Sequence, residues 1–264
     1  MDEETRTRKR LQELADMSFR TNTYCFTDFL APADISLAYE VSAPGYVTAW
    51  GGIDGAERAM VRFGSPEEFG YEMDFPIATL CIRAKNLKFA QSLTHRDYLG
   101  SLMSLGVERD VIGDILLPNR RAGITDETRS LEAIATAAWL FAAERMADYL
   151  CDSLVKIRHT DVICEKAGTL PPGIGYALER KSLTASSCRL DGIIAKVFRL
   201  SRSEAKEKFT RQEVFLGGRT CTNPSREPKP GDVISVRHKG KCIYQGISGE
   251  TRKGNVVIDV DVYV

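Results

Sequence analysis

The sequence predicts an α+β chain in three parts: an N-terminal α/β subdomain over residues 1–70, a central α+β domain over 71–170, and a C-terminal helix pair with a small β-sheet over 182–264. Three observations predict it. Helix and strand patterns alternate along the chain. Gly, Ser, Pro and Glu gather between Gly64 and Met73, and Pro171-Pro172-Gly173-Ile174-Gly175 makes a second break. A length of 264 residues also calls for two or three hydrophobic cores.

Glu3 to about Arg20 alternates charges with Leu11, Leu14, Ala15 and Phe19, an amphipathic helix. Thr27-Asp28-Phe29-Leu30 precedes Pro32, and a second helix carries Ile35, Leu37 and Ala38 before Gly45. Tyr46 to Trp50 reads as a strand ended by Gly51-Gly52. The stretch Ala56 to Gly64 suits a strand or a short helix, and its periodicity does not choose between them.

The central part begins with Phe75 to Ile82, a mostly apolar strand. Thr94 is placed as the N-cap of a helix, with Asp97 close to its positive end. Tyr98, Leu99, Leu102 and Met103 make the apolar face, and Gly106 ends it. Val107 to Val111 reads as a short helix and Gly113 to Leu117 as a strand. Ala133 to Phe141 stays open: alanine favours helix, while Trp139, Leu140 and Phe141 favour strand. Ala142 to Lys156 reads as a helix with Met146, Tyr149, Leu150 and Leu154 on one side, and Thr160 to Cys164 as the closing strand. The order β-α-β-β-α-β predicts a ferredoxin-like, RRM-like sandwich.

The C-terminal part carries the clearest pattern. Leu190, Ile193, Ile194 and Val197 fall at the spacing of one buried helix face. Ser201-Arg202-Ser203-Glu204 is a capping box that starts a second helix, with Arg202 and Lys206 sharing its outer side and Ala205 and Phe209 turned inward. Val214-Phe215-Leu216, the turn Gly217-Gly218 and Arg219 to Cys221 form a hairpin. Pro224, Pro228 and Pro230 hold a loop open, and Val233 to Val236 leads through Lys239-Gly240 into another strand. From Ser182 onward there are 15 basic and 9 acidic residues, net +6, against 21 and 27 in the remainder, so the overall balance of 36 to 36 conceals a basic end. Arg189, Lys196, Arg199, Arg202 and Lys206 can form one basic face, Ser203 can donate to a phosphate, and Arg219, Arg237, Lys239 and Lys241 extend it.

Taken together, Arg189-Leu190-Asp191, Ser201 to Ala205, Val214 with Gly217-Gly218, and Pro230 to Val236 resemble the RNA-binding domain named after ribosomal protein S-four. One departure stands out: Gly217 stands where such domains commonly carry Asn, so the turn survives without that side chain. Upstream, Thr27 to Leu30, Gly51-Gly52 with Ala56-Glu57-Arg58, Asp74-Phe75, Lys88-Phe89, His95 to Met103 and Gly113 to Leu116 resemble the YlmH family. The match is weakest between Asn119 and Leu131 and after Gly246. The resemblance implies an N-terminal domain, a central RNA-binding domain and a C-terminal domain of the S-four type; His95 and Arg96 read either as structural groups at the start of their helix or as RNA contacts of the central domain. The resemblance further implies binding to structured RNA (rRNA and tRNA) on the large ribosomal subunit, ribosome-associated quality control involving peptidyl-tRNA, and an association with cell-division gene neighbourhoods.

Other chemistries find less support. His95-Arg96-Asp97 lacks the Asn that a kinase catalytic loop places five residues later, where Leu102 stands. There is no G-x-S-x-G, P-loop, G-x-G-x-x-G or H-E-x-x-H. Seven cysteines without C-x-x-C spacing and three scattered histidines point away from a disulfide framework and a metal site, and no cofactor is expected. The charged start, Met1 to Arg6, and the lack of an apolar run of about 18 residues predict a cytoplasmic protein without membrane or DNA partners. Two other readings stay open: an RNA-modifying enzyme with an appended binding module, and a division-associated adaptor.

Overall fold

The computed structural model describes residues 2–118, 137–171, 174–176, 178–252 and 254–263. Its contacts divide the chain into two compact units, Met1–Gly175 and Tyr176–Val264. The first opens with α1 (Glu3–Thr21), capped by Asp2, whose Oδ1 accepts from the Thr5 amide at 2.9 Å. After β1 (Cys25–Phe26), α2 (Pro32–Val41) starts on a proline, whose missing N–H is no loss in a first turn. Next come β2 (Val47–Trp50) and β3 (Met60–Phe63), and the three strands form an antiparallel sheet in the order β1-β3-β2. Leu11, Ala15, Leu37, Val47, Val61 and Phe63 make the core beneath α1 and α2. Within the stretch 56–64, Met60–Phe63 is strand rather than helix. All four residues of β3 are buried, and a strand enclosed on both faces has no alternation for a period to detect.

A short helix, α3 (Pro66–Phe69), precedes β4 (Ile77–Ala84), α4 (His95–Ser104), β5 (Ile112–Leu116), β6 (Ala138–Ala143), α5 (Ala147–Ser153), β7 (Lys156–Ile157) and β8 (Thr160–Ala167). The strands lie in the antiparallel order β5-β6-β4-β8-β7. Its first four positions give the α+β arrangement of a ferredoxin-like sheet. Thr94 does precede α4: its amide and hydroxyl both donate to Asp97 Oδ2, at 2.9 and 2.7 Å. A single 3₁₀ turn, Arg109–Val111, stands where a short helix was expected.

The predicted helix over 142–156 needs correction. Ala142 and Ala143 belong to β6, paired with Ala78 and Ile77, and Lys156 has already entered β7. Alanine's helix preference is overridden here, because the sheet centre buries small residues at no side-chain cost. Leu150 and Leu154 are buried as expected, but Tyr149 is half out in solvent and donates its hydroxyl to the Leu105 carbonyl at 3.0 Å. For 133–141, the described part, Ala138 onward, is strand; residues 133–136 lie outside the described residues.

Within this unit the sequence signatures prove to be a joint. A Cβ added to Gly52, at φ 93°, would lie 2.2 Å from Phe141 Cδ1, and one on Gly113 would lie 2.6 Å from Phe29 Cε1. Only glycine allows that approach. Arg58 donates from Nη2 to the Phe29 carbonyl at 2.6 Å and from Nε to that of Ile112 at 3.1 Å. The buried Asp114 carboxylate accepts from the Glu57 amide at 2.6 Å and the Arg58 amide at 3.3 Å. Gly51-Gly52, Ala56-Glu57-Arg58 and Gly113-Asp114 therefore tie the first sheet's loop to β5 and β6.

The second unit is a six-stranded antiparallel sheet with two helices. Its elements are β9 (Leu178–Ala185), α6 (Leu190–Val197), α7 (Arg202–Thr210), β10 (Val214–Leu216), β11 (Arg219–Thr220), β12 (Val233–Val236), β13 (Gly240–Glu250) and β14 (Val256–Tyr263), ordered β11-β10-β12-β13-β14-β9. Strand β9 runs across residue 182, pairing residue for residue with β14. Leu190, Ile193, Ile194, Ala205 and Phe209 face Val214, Ile234 and Val260 in one core, as the helical spacing predicted.

Candidate nucleic-acid interface

Two devices fix the helix pair. Helix α6 ends in a Schellman motif, with the Leu200 amide donating to the Ala195 carbonyl at 2.8 Å and Arg199 in left-handed backbone at φ 54°. Helix α7 then begins on the capping box: the Ser201 amide donates to Glu204 Oε2 at 2.7 Å, and the Glu204 amide to Ser201 Oγ at 3.2 Å. These bonds from Ser201, together with the attraction of Lys239, hold the Glu204 carboxyl below its ordinary value.

A groove of about 580 Å³ lies along this pair, and Arg189, Lys196, Arg202 and Lys206 all line it. A second hollow of about 430 Å³ shares Arg189 and Lys206 and adds Phe209, Thr210 and Thr222. The charges are not equivalent. Lys196, Arg199, Arg202 and Lys206 make no ion pair among the described residues, whereas Lys208 is held by Glu213 and Arg211 by Glu207. Arg189 bridges both oxygens of Asp191 at 3.1 and 3.0 Å, which raises its pKa further, and Asp191 Oδ1 also accepts from the Gly192 amide. The groove's carboxylate is thereby occupied, and its remaining cations face solvent. Such a surface can neutralise phosphates.

Other predicted residues fall outside this groove. Arg199 sits in the turn between the helices, and Ser203 Oγ lies 3.0 Å from Ser201 Oγ. Arg219 is on β11, Arg237 lies over the Phe215 ring at 5.8 Å, and Lys241 over the rings of Tyr263 and Tyr176 at 4.0 and 5.2 Å. Lys239 is close enough for its charge to help lower the Glu204 carboxyl. Missed from the sequence were Ser186 and Ser187, which line the groove, and the loop whose Pro224 and Arg226 carbonyls accept the first amides of α6 at 3.0 and 2.9 Å. The only hint lay in the serine pair.

In the first unit, His95 and Arg96 are exposed at the start of α4, beside Asp97, which Arg158 approaches at 3.3 Å. The aromatics of β6 are not available for stacking bases in the manner of an open RRM sheet, since Trp139 is 3% exposed and Phe141 wholly buried. No helix among the described residues is long and apolar enough to cross a membrane.

Comparison with known proteins finds the following similarities. Residues 71–135 match the family model described as "Putative RNA-binding domain in YlmH". The chain is 28% identical over 237 residues to "Ribosome-associated protein quality control protein P2" of Bacillus subtilis (strain 168), covering 86% of this chain and 82% of that one. It is 33% identical over 79 residues to "Small ribosomal subunit protein uS4" of Pseudomonas putida (strain GB-1), covering 28% of this chain and 38% of that one. Among solved structures, "Cell division protein ylmH from Streptococcus pneumoniae" is similar over 64% of this chain and 93% of its own, at 22% identity and a TM-score of 0.45.

Proposed function

We propose that the chain is a member of the YlmH family of RNA-binding proteins with a C-terminal domain of the S-four type, and that it works by binding structured RNA on the ribosome, without chemistry of its own. The α6–α7 groove is the part that grips. The observation that carries this reading is the gathering of Lys196, Arg202 and Lys206 on one groove without ion pairs among the described residues, while Lys208 and Arg211 on the same helix or at its end are neutralised. Phosphate contacts of this kind set the position of a protein on RNA, and the A-form geometry supplies the selectivity.

The finer assignment follows the Bacillus relative's name, which places that protein in ribosome-associated quality control. By extension this chain holds rRNA of the large subunit in the cytoplasm, and His95 and Arg96 of the central domain meet tRNA or a neighbouring strand. The test is sedimentation of the full-length protein with purified small subunits, empty large subunits and large subunits carrying peptidyl-tRNA. Co-sedimentation with large subunits, strengthened by peptidyl-tRNA, is expected. Preference for small subunits would overturn the choice of particle, and binding to none of them would overturn the reading as a whole.

A further inference from the structure

The charge of the chain is distributed in steps. Residues 2–74 hold 14 acidic and 7 basic side chains, 75–175 hold 12 of each, and 176–264 hold 10 acidic and 17 basic. The entire negative excess lies in the first 74 residues. That same region exposes Phe19, Tyr39, Trp50, Tyr71 and Met73, large apolar groups that a free surface does not need. A polyanion is repelled there, so this end of the molecule suits a different kind of partner.

The exposed groups include the walls of a groove of about 440 Å³ between β2 and the segment leading into β4, lined by Trp50, Arg62, Glu72, Met73, Asp74 and Phe75. Arg62 is 4% exposed and is spent on the protein: Nη1 donates to the Met73 carbonyl at 2.6 Å, Nη2 lies 3.5 Å from Glu72, and the guanidinium sits 4.8 and 5.3 Å from the Tyr24 and Phe75 ring centres. Its buried Nε–H has no hydrogen-bond partner among the described residues. Asp74, by contrast, is exposed and makes no ion pair among the described residues, and Trp50 is 37% exposed. Strand β2 is also an edge, paired among the described residues on one side only, by β3.

We propose that this groove docks an arginine-bearing segment of a basic partner protein. A guanidinium stacks on an indole or phenyl face and pairs with a carboxylate through two N–H groups, which matches Trp50 and Phe75 beside Asp74. An extended segment lying along β2 presents main-chain groups to the strand edge. A nucleotide fits less well, because its phosphates would approach Asp74 and Glu72 in a region of net negative charge.

The inference is independent of RNA binding by the second unit, and its test keeps the two apart. Of the two tryptophans, Trp139 is buried, so Trp50 reports on the groove. The full-length protein is titrated with a blocked Gly-Arg-Gly-Arg-Gly peptide, its glutamate counterpart and an oligocytidine, reading tryptophan emission. A saturable change with the arginine peptide alone is expected, weakened about tenfold by Asp74→Asn. The charge control Glu67→Gln and the double variant Arg202→Glu with Lys206→Glu should leave it intact. No saturable change, an equal loss in Glu67→Gln, or no loss in Asp74→Asn would overturn the proposal. Binding of the oligocytidine that Asp74→Asn alters would reassign the groove to RNA.

Discussion

Arg199 offers a way to separate stability from binding at one residue. Its φ of 54° is imposed by the end of α6, where the Phe198 amide donates to Ile194 and the Leu200 amide to Ala195. The left-handed conformation costs an L residue about 1–2 kcal/mol, and glycine gives back roughly 0.5–1 kcal/mol in the freedom of the unfolded chain. Arg199→Gly should therefore stabilise the second unit by about 0.5–1 kcal/mol, which for a unit of this size raises its melting temperature by roughly 2–8 °C. Arg199→Ala removes the same charge but keeps the Cβ, so its stability should stay within about 0.5 kcal/mol of the parent. Calorimetry of the full-length protein, with exchange of the Leu200 amide identifying the transition, measures both. A glycine variant no more stable than the alanine variant would refute the claim that backbone geometry, rather than the side chain, sets the cost here. Both variants should lose RNA affinity equally, since both lose one cation.

Further predictions follow from buried and capping groups. Asp114→Ala strands the Glu57 and Arg58 amides and should destabilise the first unit by about 2–5 kcal/mol in urea unfolding, with Asp114→Asn losing less because one acceptor oxygen remains. The carboxyls of Asp97, Glu204 and Glu213 are held below their ordinary values of 3.8, 4.5 and 4.5 by hydrogen bonds from Thr94, Ser201 and Lys208, respectively. Each therefore contributes stability that is present above those values and lost as pH falls through its lower folded value. Glu204→Gln, which removes one of these carboxyls, should flatten this acid limb in a pH series of melting temperatures. In alkali the sign reverses. Burial pushes the Cys242 thiol from 9.0 up to about 12, so its stabilising share is complete below pH 9 and lost as pH rises towards 12; Cys242→Ala should remove that part of the decline.

How far the sequence could be read depended on whether a residue's role was local. The capping box at Ser201, the α6 spacing and the Gly217-Gly218 turn, at φ 56° and 77°, are each decided within a few residues, and all were legible. Buried strands were harder. Met60–Phe63 and Ala138–Ala143 lack alternation because both of their faces are covered, and the alanines at 142 and 143 mimic a helix start. The basic face was visible as a set. Its internal sorting was not, because the pairing of Lys208 with Glu213 and the placement of Arg237 and Lys241 over aromatic rings depend on partners brought in by the fold.

The most direct test of the groove is the salt dependence of binding to ribosomal particles, comparing the parent with Arg202→Glu plus Lys206→Glu. If these side chains neutralise phosphates, the parent's log affinity falls steeply with log salt, and the variant binds more weakly with a slope flatter by about 0.7–0.9 for each phosphate it no longer neutralises. A variant that binds as tightly as the parent, with the same slope, would contradict the assignment of the α6–α7 groove as the RNA-binding face.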